Sequence, residues 1–428
     1  MLRDYFQLPR FVHILCLGSL LNRAGSFVVV FLTIYASENL GFGVPFATAC
    51  MGVFGIGSMV GSILGGQLAD QIGRRIVMLM SLFGGAAMLL LLGTLENRWA
   101  FMAAVGIFAT VVDMYRPAAG AMIADVVSID RRPHAFALMY ISINLGFAIA
   151  PIVGGWLAEI SYSLLFLGDA ITMSLYGVII TMFIGETLPA NTSKTPGHTK
   201  QGIQSDQIPV LLAIKRMVSD TPFVVFCAAN FLMMLVFMQC ISTVPIYLRQ
   251  CGFSNAQYGM LMSINGVMIV VMQLPATQWL SRYRVMSVVT VGGVLIAFGF
   301  GSLGLGSSAL FFATMVAIWT CGEIMQFPFK NAIVTDIAPV EIRARYLGLF
   351  GMMFGLAVTI GSPLGGQILT RFGAETLWIG TFAVSAAAVT LFLLVHGPIT
   401  KRISAAQSAG NEEPEEIHEE QSPRVLVS

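Results

Sequence analysis

Long apolar runs separated by short polar segments dominate the chain. Each run is about as long as the roughly 20 residues that a helix needs to cross a bilayer. The twelve runs lie at residues 10–36, 46–68, 76–95, 99–126, 133–160, 163–185, 221–248, 256–280, 285–306, 309–336, 344–370 and 375–397. Only 11% of the residues are charged, whereas about a quarter are charged in a water-soluble domain. The pattern therefore predicts an all-α membrane protein with twelve transmembrane helices, called spans 1 to 12.

A polar segment rich in Pro, Thr, Gln and Lys divides the spans six and six. We expect an N-terminal six-helix bundle at 1–185, a cytoplasmic central loop at 186–220 and a C-terminal six-helix bundle at 221–397. Residues 398–428 contain a like-charge block of glutamates, which predicts an acidic, disordered cytoplasmic tail.

The positive charges predict that both termini are cytoplasmic, because cytoplasmic loops of membrane proteins carry an excess of Lys and Arg. With that orientation the outer loops hold only Arg98, Arg249 and Arg371. The inner loops and termini hold Arg3, Arg10, Arg74, Arg75, Arg131, Arg132, Lys194, Lys200, Lys215, Arg216, Arg282, Arg284, Arg343, Arg345, Lys401, Arg402 and Arg424.

The two halves of the sequence match each other at an offset of 211 residues. The offset carries Pro117 to Pro328, Asp125 to Asp336, Arg132 to Arg343, Leu145 to Leu356, Gly154 to Gly365 and Gly155 to Gly366. Spans 4 and 5 thus recur as spans 10 and 11. A parallel repeat of six helices predicts a binding site between the two halves.

Five charged residues fall near the middle of predicted spans: Arg23, Asp113, Arg116, Glu323 and Lys330. A charge at the bilayer centre costs about 2.5–3.5 kcal/mol, so these residues must face a polar cavity or each other. Asp113 and Arg116 are spaced to pair on one helix face. Burial disfavours an ionised carboxyl and a nearby cation favours it. Glu323, with no adjacent cation in sequence, is therefore the better candidate for reversible protonation.

Asp169 lies in the outer third of span 6, and two interpretations of it stay open. The carboxylate could pair with Arg23, or it could cap a local break. The midspan charges as a group also allow two interpretations. They could be buried ion pairs that lock helices together, or they could line a cavity that exchanges protons with a solute.

The sequence predicts neither a metal nor another cofactor. The six cysteines are isolated, without a partner at metal-ligand spacing, and they predict no disulfide framework. No phosphate-binding G-x-x-x-x-G-K-[ST] loop is present, so we expect no nucleotide partner. A net charge of +1 argues against nucleic acid. No Ser/His/Asp set is apparent in the loops, and we expect no enzymatic activity. The pattern specifies no oligomeric state.

The loop between spans 2 and 3 has the sequence GQLADQIGRR at 66–75, which places one acid, two arginines and two glycines in a tight turn. This pattern resembles the loop 2–3 signature of the major facilitator superfamily of transporters. Arg116 and Gly120 resemble the R-x-x-x-G signature of span 4. The segment 146–155 resembles the antiporter signature of span 5, carried here by Gly146, Pro151, Gly154 and Gly155, with Ala150 in place of a glycine.

The resemblance implies a role for each group of residues. Asp70, Arg74 and Asp125 would form a charge network, with Asp70 facing the start of span 11. The complete cytoplasmic gate would comprise Gly66, Asp70, Gly73, Arg74, Arg75, Asp125 and Arg132. From their charge and their depth in the spans, we expect solute and proton coupling to belong to Arg23, Asp113, Arg116, Asp169, Glu323 and Lys330. Of these, Arg23 and Glu323 also resemble charged positions in spans 1 and 10 of proton-coupled exporters.

The resemblance to the drug:proton antiporter group implies proton-coupled efflux of amphipathic or cationic organic solutes by alternating access. The expected location is the bilayer of a bacterial inner membrane. An uptake symporter, or an exporter of amino acids or peptides with the same fold, is the nearest alternative. A membrane receptor or scaffold without transport activity is an alternative from another class.

Overall fold

The computed structural model describes residues 8–128, 131–187, 210–339 and 342–411. Within these ranges every regular element is helical, which confirms the predicted fold class. Eleven helical segments are long and apolar enough to cross a membrane. The last of these, at Arg345–Ala405, is broken at Gly373, whose φ of +84° lies in the left-handed region. It therefore contributes two spans, and the total is twelve.

The helices follow the predicted apolar runs closely. Spans 1 to 6 comprise Arg10–Ala24 with Phe27–Ile34 and the π-turn Tyr35–Asn39, Val44–Ile72, Arg74–Leu92, Arg98–Asp113 with Tyr115–Val126, Arg132–Ile160, and Tyr162–Phe183. Spans 7 to 10 comprise Thr221–Phe237 with Gln239–Ser242 and Val244–Gln250, then Asn255–Leu280, Val285–Gly301 and Ala309–Ile337. Spans 11 and 12 together form Arg343–Asn411.

Two described helices lie beside the predicted loop and tail boundaries. A helix at Val210–Ser219 precedes span 7. The last helix runs on to Asn411, beyond residue 398 where the sequence predicts a disordered tail. Arg402 explains part of this extension, because its Nη1 lies 2.8 Å from Asp220 Oδ2 at the start of span 7. The acidic block at 412–428 lies outside the described residues, and the four-part domain division stays a prediction.

Spans 1, 4 and 7 are interrupted, and proline or glycine lies close to the breaks in spans 1 and 4 and to the second break in span 7. In span 4, Pro117 lacks the N–H that would bond to the carbonyl of Asp113, and the helix is interrupted at Met114. Span 1 breaks at Gly25 and Ser26. The interruptions of spans 1 and 4 lie beside the predicted midspan charges Arg23, Asp113 and Arg116. Irregular backbone at such depth is tolerated only inside protein or beside a water-filled cavity.

The two halves meet along two pairs of spans, 2 with 11 and 5 with 8. Glycines allow the close approach. A Cβ on Gly52 would lie 2.8 Å from the carbonyl oxygen of Thr359, and one on Gly155 would lie 2.7 Å from that of Asn255. Small residues at such crossings replace the hydrophobic driving force that helices lack in lipid. This packing places spans 1, 4, 5, 8 and 10 around the charged residues.

Candidate functional site

Span 1 is interrupted beside Asp169, which caps the helix that follows the break. Asp169 is 3% exposed, and its Oδ2 accepts a hydrogen bond from Val28 N at 3.3 Å. Val28 lies in the first turn of the restarted helix, where N–H groups have no intrahelical partner. The structure therefore shows the cap, the second of the two interpretations. In the part of the chain described, no ion pair within 4 Å joins Asp169 to Arg23.

Arg23 lies in the last turn of the first helix of span 1 and stacks on span 5. Its Cζ is 5.5 Å from the centroid of the Phe147 ring, within the range of a cation–π interaction. Gly146 permits this approach, since a Cβ there would lie 2.5 Å from Arg23 Cβ and 2.8 Å from Leu20 O. A glycine of the span 5 signature thus places Phe147 against the Arg23 side chain.

Asp113 and Arg116 do not form the predicted ion pair. The break at Met114 lies between them, and the described residues contain no contact within 4 Å that joins the two charges. Asp113 is half-buried and Arg116 is exposed. The charges of both residues nevertheless act on Arg23. The three side chains therefore form a loose charged group in the middle of the N-terminal half.

A hydroxyl cluster that the sequence analysis did not identify lies behind this group. The hydroxyl groups of Tyr115 and Tyr176 are hydrogen-bonded to each other. Ser19 Oγ lies 3.2 Å from the Tyr115 hydroxyl and 3.3 Å from that of Tyr176, which donates to Leu15 O at 3.1 Å. The cluster joins spans 1, 4 and 6, and it fixes the helix segment that carries Arg116.

In the C-terminal half, Glu323 of span 10 is held by an amide of span 8. Its Oε2 accepts a hydrogen bond from Asn265 Nδ2 at 2.7 Å, and the same Nδ2 lies 3.0 Å from Thr320 Oγ1. Glu323 is half-buried. A hydrogen bond to an ionised group is stronger than a neutral one, so the amide fixes the position of the carboxylate.

Lys330 is sealed inside the C-terminal half and does not line open space. The residue is 2% exposed, and its Nζ donates to Gln326 Oε1 at 2.9 Å and lies 5.1 Å from the centroid of the Phe327 ring. Gln326 in turn donates from Nε2 to Val289 O at 2.9 Å. Within the described residues Lys330 and Glu323 form no ion pair within 4 Å, although their charges act on each other.

Tyr140 of span 5 lies within electrostatic reach of Glu323 in the opposite half. The side chain is 43% exposed although it lies inside a span. It is close enough to Glu323 for the carboxylate charge to act on its hydroxyl. Span 5 therefore carries Phe147 against Arg23 and, about two helical turns away, Tyr140 toward Glu323.

The loop between spans 2 and 3 forms the predicted charge network within the N-terminal half. Arg74 Nη2 lies 2.9 Å from Asp70 Oδ1, and Arg74 Nε lies 3.2 Å from Asp125 Oδ2. Arg74 Nη1 also donates to Ala69 O at 2.7 Å. The side chain of Asp70 remains 72% exposed, and the contacts that describe it lie in its own half rather than on span 11.

Glu186 completes this network, and the sequence analysis did not identify it. Its two carboxylate oxygens accept hydrogen bonds from Arg74 N at 2.9 Å and Arg75 N at 3.1 Å, at the start of span 3. Gly73 has a φ of +114°, and a Cβ there would collide with the Glu186 carboxylate. The second motif glycine therefore serves both the turn and the cap. The signal available in the sequence was an acid directly after the predicted end of span 6 at residue 185.

The other predicted gate residues fix helix ends. Arg132 donates from Nε to Val127 O at 3.1 Å and from Nη2 to Ala124 O at 2.6 Å, which satisfies carbonyls at the end of span 4. Arg75 Nη2 donates to Thr181 O at 2.7 Å. At Gly66 the nearest atom to a Cβ would be Pro117 Cβ, at 3.9 Å. Gly66 therefore lies against span 4 without tight packing.

The span 5 signature divides its contacts between the two halves. Gly146 faces Arg23, and a Cβ at Gly154 would lie 2.9 Å from the Phe31 ring, so both glycines contact span 1. Gly155 faces span 8, and the carbonyl of Pro151 lies in the space that a Cβ on Gly259 would need. The signature is thus a two-sided packing surface that couples span 1 to the opposite half.

At the predicted extracellular face the halves are joined by polar contacts. Arg249 Nε lies 3.2 Å from Glu38 Oε2. Further hydrogen bonds run from Asn255 Nδ2 to the Tyr162 hydroxyl at 3.0 Å, from Ala256 N to Glu159 Oε1 at 3.2 Å, and from the Tyr258 hydroxyl to Val30 O at 3.4 Å. These contacts close the extracellular end of the space between the halves.

Toward the predicted cytoplasmic ends of spans 4 and 11, a Cβ on Gly120, Gly348 or Gly351 would meet nothing within 4 Å among the described residues. The polar contacts between the halves described above lie at the Glu38 end. Within the described ranges no three His, Cys, Asp or Glu side chains gather as a metal site requires.

Comparison with known proteins identifies the family. Residues 15–332 and 252–422 match the sequence profile of the Major Facilitator Superfamily. The chain belongs to this superfamily. It is similar to a Na(+), Li(+), K(+)/H(+) antiporter of Planococcus maritimus, with 24% identity over 87% of this chain and 93% of the relative. It is also similar to the multidrug resistance protein MdtH of Salmonella arizonae, with 20% identity over 72% of each chain.

A solved structure supports the same fold. The crystal structure of a POT family transporter in complex with a thioalcohol-conjugated peptide superposes with a TM-score of 0.77. The two sequences are 18% identical, and the alignment covers 92% of this chain and 98% of the other. The chain is a multi-pass transporter of the Major Facilitator Superfamily, as the sequence predicts. Its family consists of transporters rather than enzymes.

Proposed function

We propose that this chain is a proton-coupled secondary transporter that exports amphipathic or cationic organic solutes by alternating access. The observation that carries the proposal is the half-buried Glu323 at midspan, whose carboxylate accepts a hydrogen bond from Asn265 and acts electrostatically on Tyr140 of the opposite half. A titratable carboxylate at midspan can exchange a proton for a solute. The antiporter and the multidrug resistance protein among the relatives support exchange and export.

In the proposed cycle, the state described above accepts solute from the cytoplasmic face. The solute binds while Glu323 is ionised, and a cationic group on it pairs with the carboxylate. The halves then rock, the Glu38–Arg249 contact separates, and the space opens outward. A proton from outside neutralises Glu323, so the solute loses its counter-charge and leaves. The protonated carboxyl returns inward and releases the proton to the cytoplasm, which completes one exchange.

The loop network around Arg74 would control when the cytoplasmic end of the space between the halves closes. Asp70 is exposed in the present conformation and is available to a partner from the opposite half when the cytoplasmic end closes. A carboxylate at a helix N-terminus is stabilised by the unpaired N–H groups there, and span 11 begins at Arg343 on the same face. Gate closure in the outward-open state is therefore the proposed role of the motif.

Flux into inside-out membrane vesicles tests the proposal. We would measure uptake of tetraphenylphosphonium, 4-phenylbutylamine and 4-phenylbutyrate, with an acid or an equilibrated interior, above vesicles that lack the protein. At least one solute should enter only with an acid interior, and Glu323→Gln should abolish that uptake. Glu375→Gln, an exposed glutamate at the start of span 12, is the matched control.

The same assay separates the alternatives. Uptake that requires acid outside the vesicles would mean that proton and solute cross the membrane in the same direction. The protein would then be a symporter rather than a proton-coupled exporter. Protein-dependent uptake that ignores the gradient, or that survives Glu323→Gln, would overturn the proton-coupling mechanism. If purified protein bound none of the solutes and carried no flux, a receptor or scaffold would become the better description.

A further inference from the structure

Spans 2 and 4 leave a narrow groove of about 300 Å³ between them, away from the charged residues of the central site. The groove is lined by Val53, Ile56, Gly57 and Val60 of span 2 and by Ala103, Gly106, Ile107 and Thr110 of span 4. The hydroxyl of Thr110 already donates to Gly106 O at 2.9 Å. The lining therefore suits an apolar occupant that offers no hydrogen bond.

The groove faces the lipid rather than the interior of the bundle. Its rims are exposed apolar side chains, with Ile56 51%, Val60 42% and Ile107 54% exposed. On the inner side of the same helix pair, the rings of Phe54 and Phe108 contact each other with centroids 6.4 Å apart. Lipid tails are as apolar as leucine, so exposed apolar side chains at this depth lie against acyl chains. The open side of the groove is thus turned toward the bilayer.

Glycines form the floor of the groove and keep it narrow. A Cβ on Gly57 would lie 2.3 Å from Gly106 O, and one on Gly106 would lie 2.9 Å from Val53 Cγ1. The two backbones therefore touch, and the larger side chains stand on either side as walls. A length of about 10 Å gives the groove a cross-section of roughly 30 Å², about a third of that of a helix roughly 10–12 Å across. One hydrocarbon chain fits this space, whereas a helix from a second copy does not.

A cation and two aromatic rings lie at the predicted extracellular end of the groove. Trp99 lies two turns before Gly106 on the same helix face, and Phe46 lies two turns before Val53. The two rings contact each other with centroids 5.4 Å apart. Arg98 Cζ lies 5.1 Å from the centroid of the Trp99 ring and 5.8 Å from that of Phe46. Tryptophan is typical of the headgroup region, so the cluster marks where a lipid headgroup would lie.

Arg98 has no anionic partner in the described part of the chain. The residue is exposed, and it forms neither a hydrogen bond nor an ion pair there. This includes Glu96, the acid closest to it in sequence. A guanidinium group pairs with phosphate oxygens through two parallel hydrogen bonds. A headgroup phosphate is therefore a partner that the membrane itself supplies.

The distance from the aromatic rings to the far end of the groove matches one leaflet. From Trp99 to Thr110 the helix rises about 16 Å, and one leaflet contributes about 15 Å of hydrocarbon. We propose that the groove binds an acyl chain of an anionic phospholipid in the predicted outer leaflet, with Arg98 holding the phosphate. An anionic headgroup is favoured over a zwitterionic one because it adds no cation beside Arg98. The inference does not depend on the proposed transport function.

Photolabelling of the full-length chain in phosphatidylcholine nanodiscs tests this site. Two probes with identical chains, a phosphatidylglycerol and a phosphatidylcholine, each carry a diazirine midway along one acyl chain. Mass spectrometry of peptides should locate the label mainly at residues 53–60 and 103–110. The phosphatidylglycerol should label these segments about fivefold more than the phosphatidylcholine does, the preference expected from one basic residue near the membrane surface.

Matched variants separate the headgroup from the acyl chain. Arg98→Gln should remove the preference for phosphatidylglycerol, whereas Arg371→Gln, an exposed arginine of the opposite half, should leave it unchanged. Ala103→Phe fills the groove from an exposed position and should reduce labelling of residues 53–60 by both probes. Ala387→Phe, on the exposed face of span 12, should not.

Three outcomes would overturn the site. The first is equal labelling by the two probes, or an unchanged preference in Arg98→Gln. The second is label spread evenly over all lipid-facing helices. The third is two chains per nanodisc with both segments protected from the probes, which would assign the groove to a second copy. If Ala103→Phe does not fold, the probe comparison and Arg98→Gln decide. Solute flux is not part of the readout, so the lipid site and the transport mechanism can fail separately.

Discussion

The two halves carry charges at similar depth but hold them differently. In the N-terminal half, the charges of Asp113 and Arg116 act on Arg23, and no ion pair within 4 Å joins the three in the described residues. In the C-terminal half, Glu323 and Lys330 are each hydrogen-bonded to a side-chain amide. Under the proposed function, a carboxylate fixed by an amide would be kept in place for proton exchange, whereas charges outside an ion pair would be available to a solute. The proposal thus places cargo binding in one half and coupling in the other.

The repeat-related prolines show the same contrast in the backbone. Pro117 and Pro328 occupy equivalent positions, and each frees the carbonyl four residues before it. Span 10 continues as one helix through Pro328, where Gln273 of span 8 donates to the freed carbonyl of Ile324 at 3.3 Å. Span 4 is interrupted before Pro117. In the uninterrupted copy, span 10, a side-chain amide from span 8 thus bonds to the carbonyl that the proline leaves free.

The largest expected effect contrasts the carboxylates of the two halves. Glu323→Gln should reduce proton-driven uptake to the level of vesicles without protein, because the group that carries the proton is gone. Asp113→Asn should keep uptake proton-driven and change mainly the solute concentration for half-maximal uptake. Measuring uptake against solute concentration, with and without the gradient, separates the two. If Asp113→Asn uncouples transport and Glu323→Gln does not, the assignment of roles is reversed.

The second prediction concerns solvent access. In a background with the native cysteines replaced, Arg116→Cys should react readily with a charged methanethiosulfonate added at the cytoplasmic face. Lys330→Cys should react far more slowly, because Lys330 is buried beside Gln326, which bonds to Val289 of span 9. Mass spectrometry of timed samples gives both rates. Similar rates at the two positions would show that the C-terminal charge also lines open space.

The third prediction compares the loops that begin spans 3 and 9. Glu186 caps span 3, whereas span 9 begins without a side-chain cap. Glu186→Gln should lower stability by about 1 kcal/mol, the usual cost of a weakened cap. The thermal midpoint in detergent should fall, with Glu375→Gln as the control. An unchanged midpoint would mean that the carboxylate adds nothing to the span 3 terminus.

The smallest expected effect lies where the halves touch. Arg249→Gln removes a partly exposed ion pair, worth up to about 1 kcal/mol, and should raise the outward-open population by at most about fivefold. Spin labels at Glu96 and Ser307, on outer loops of the two halves, would report a larger separation in that population. Arg98→Gln, whose ring contacts lie within one half, is the control. An unaltered distance distribution would argue against Arg249 as an extracellular closure.

Much of the fold could be predicted because it depends on local patterns. The length of the apolar runs predicted the twelve spans. The motif at 66–75 predicted the network of Arg74 with Asp70 and Asp125. Glu186 was missed because its partners lie more than 100 residues away in sequence. The Asp113–Arg116 pair was predicted on ideal helical spacing, and the break at Met114 intervenes.

By itself, the sequence determined that this chain spans a membrane twelve times in two related halves, because hydrophobic length and repeated spacing are properties of the chain. Only the tertiary structure decided which charges are engaged. Lys330 and Arg116 look alike in sequence, yet one is enclosed by Gln326 and the other faces open space. The side chains that surround a charge come from several spans, and packing alone brings those spans together.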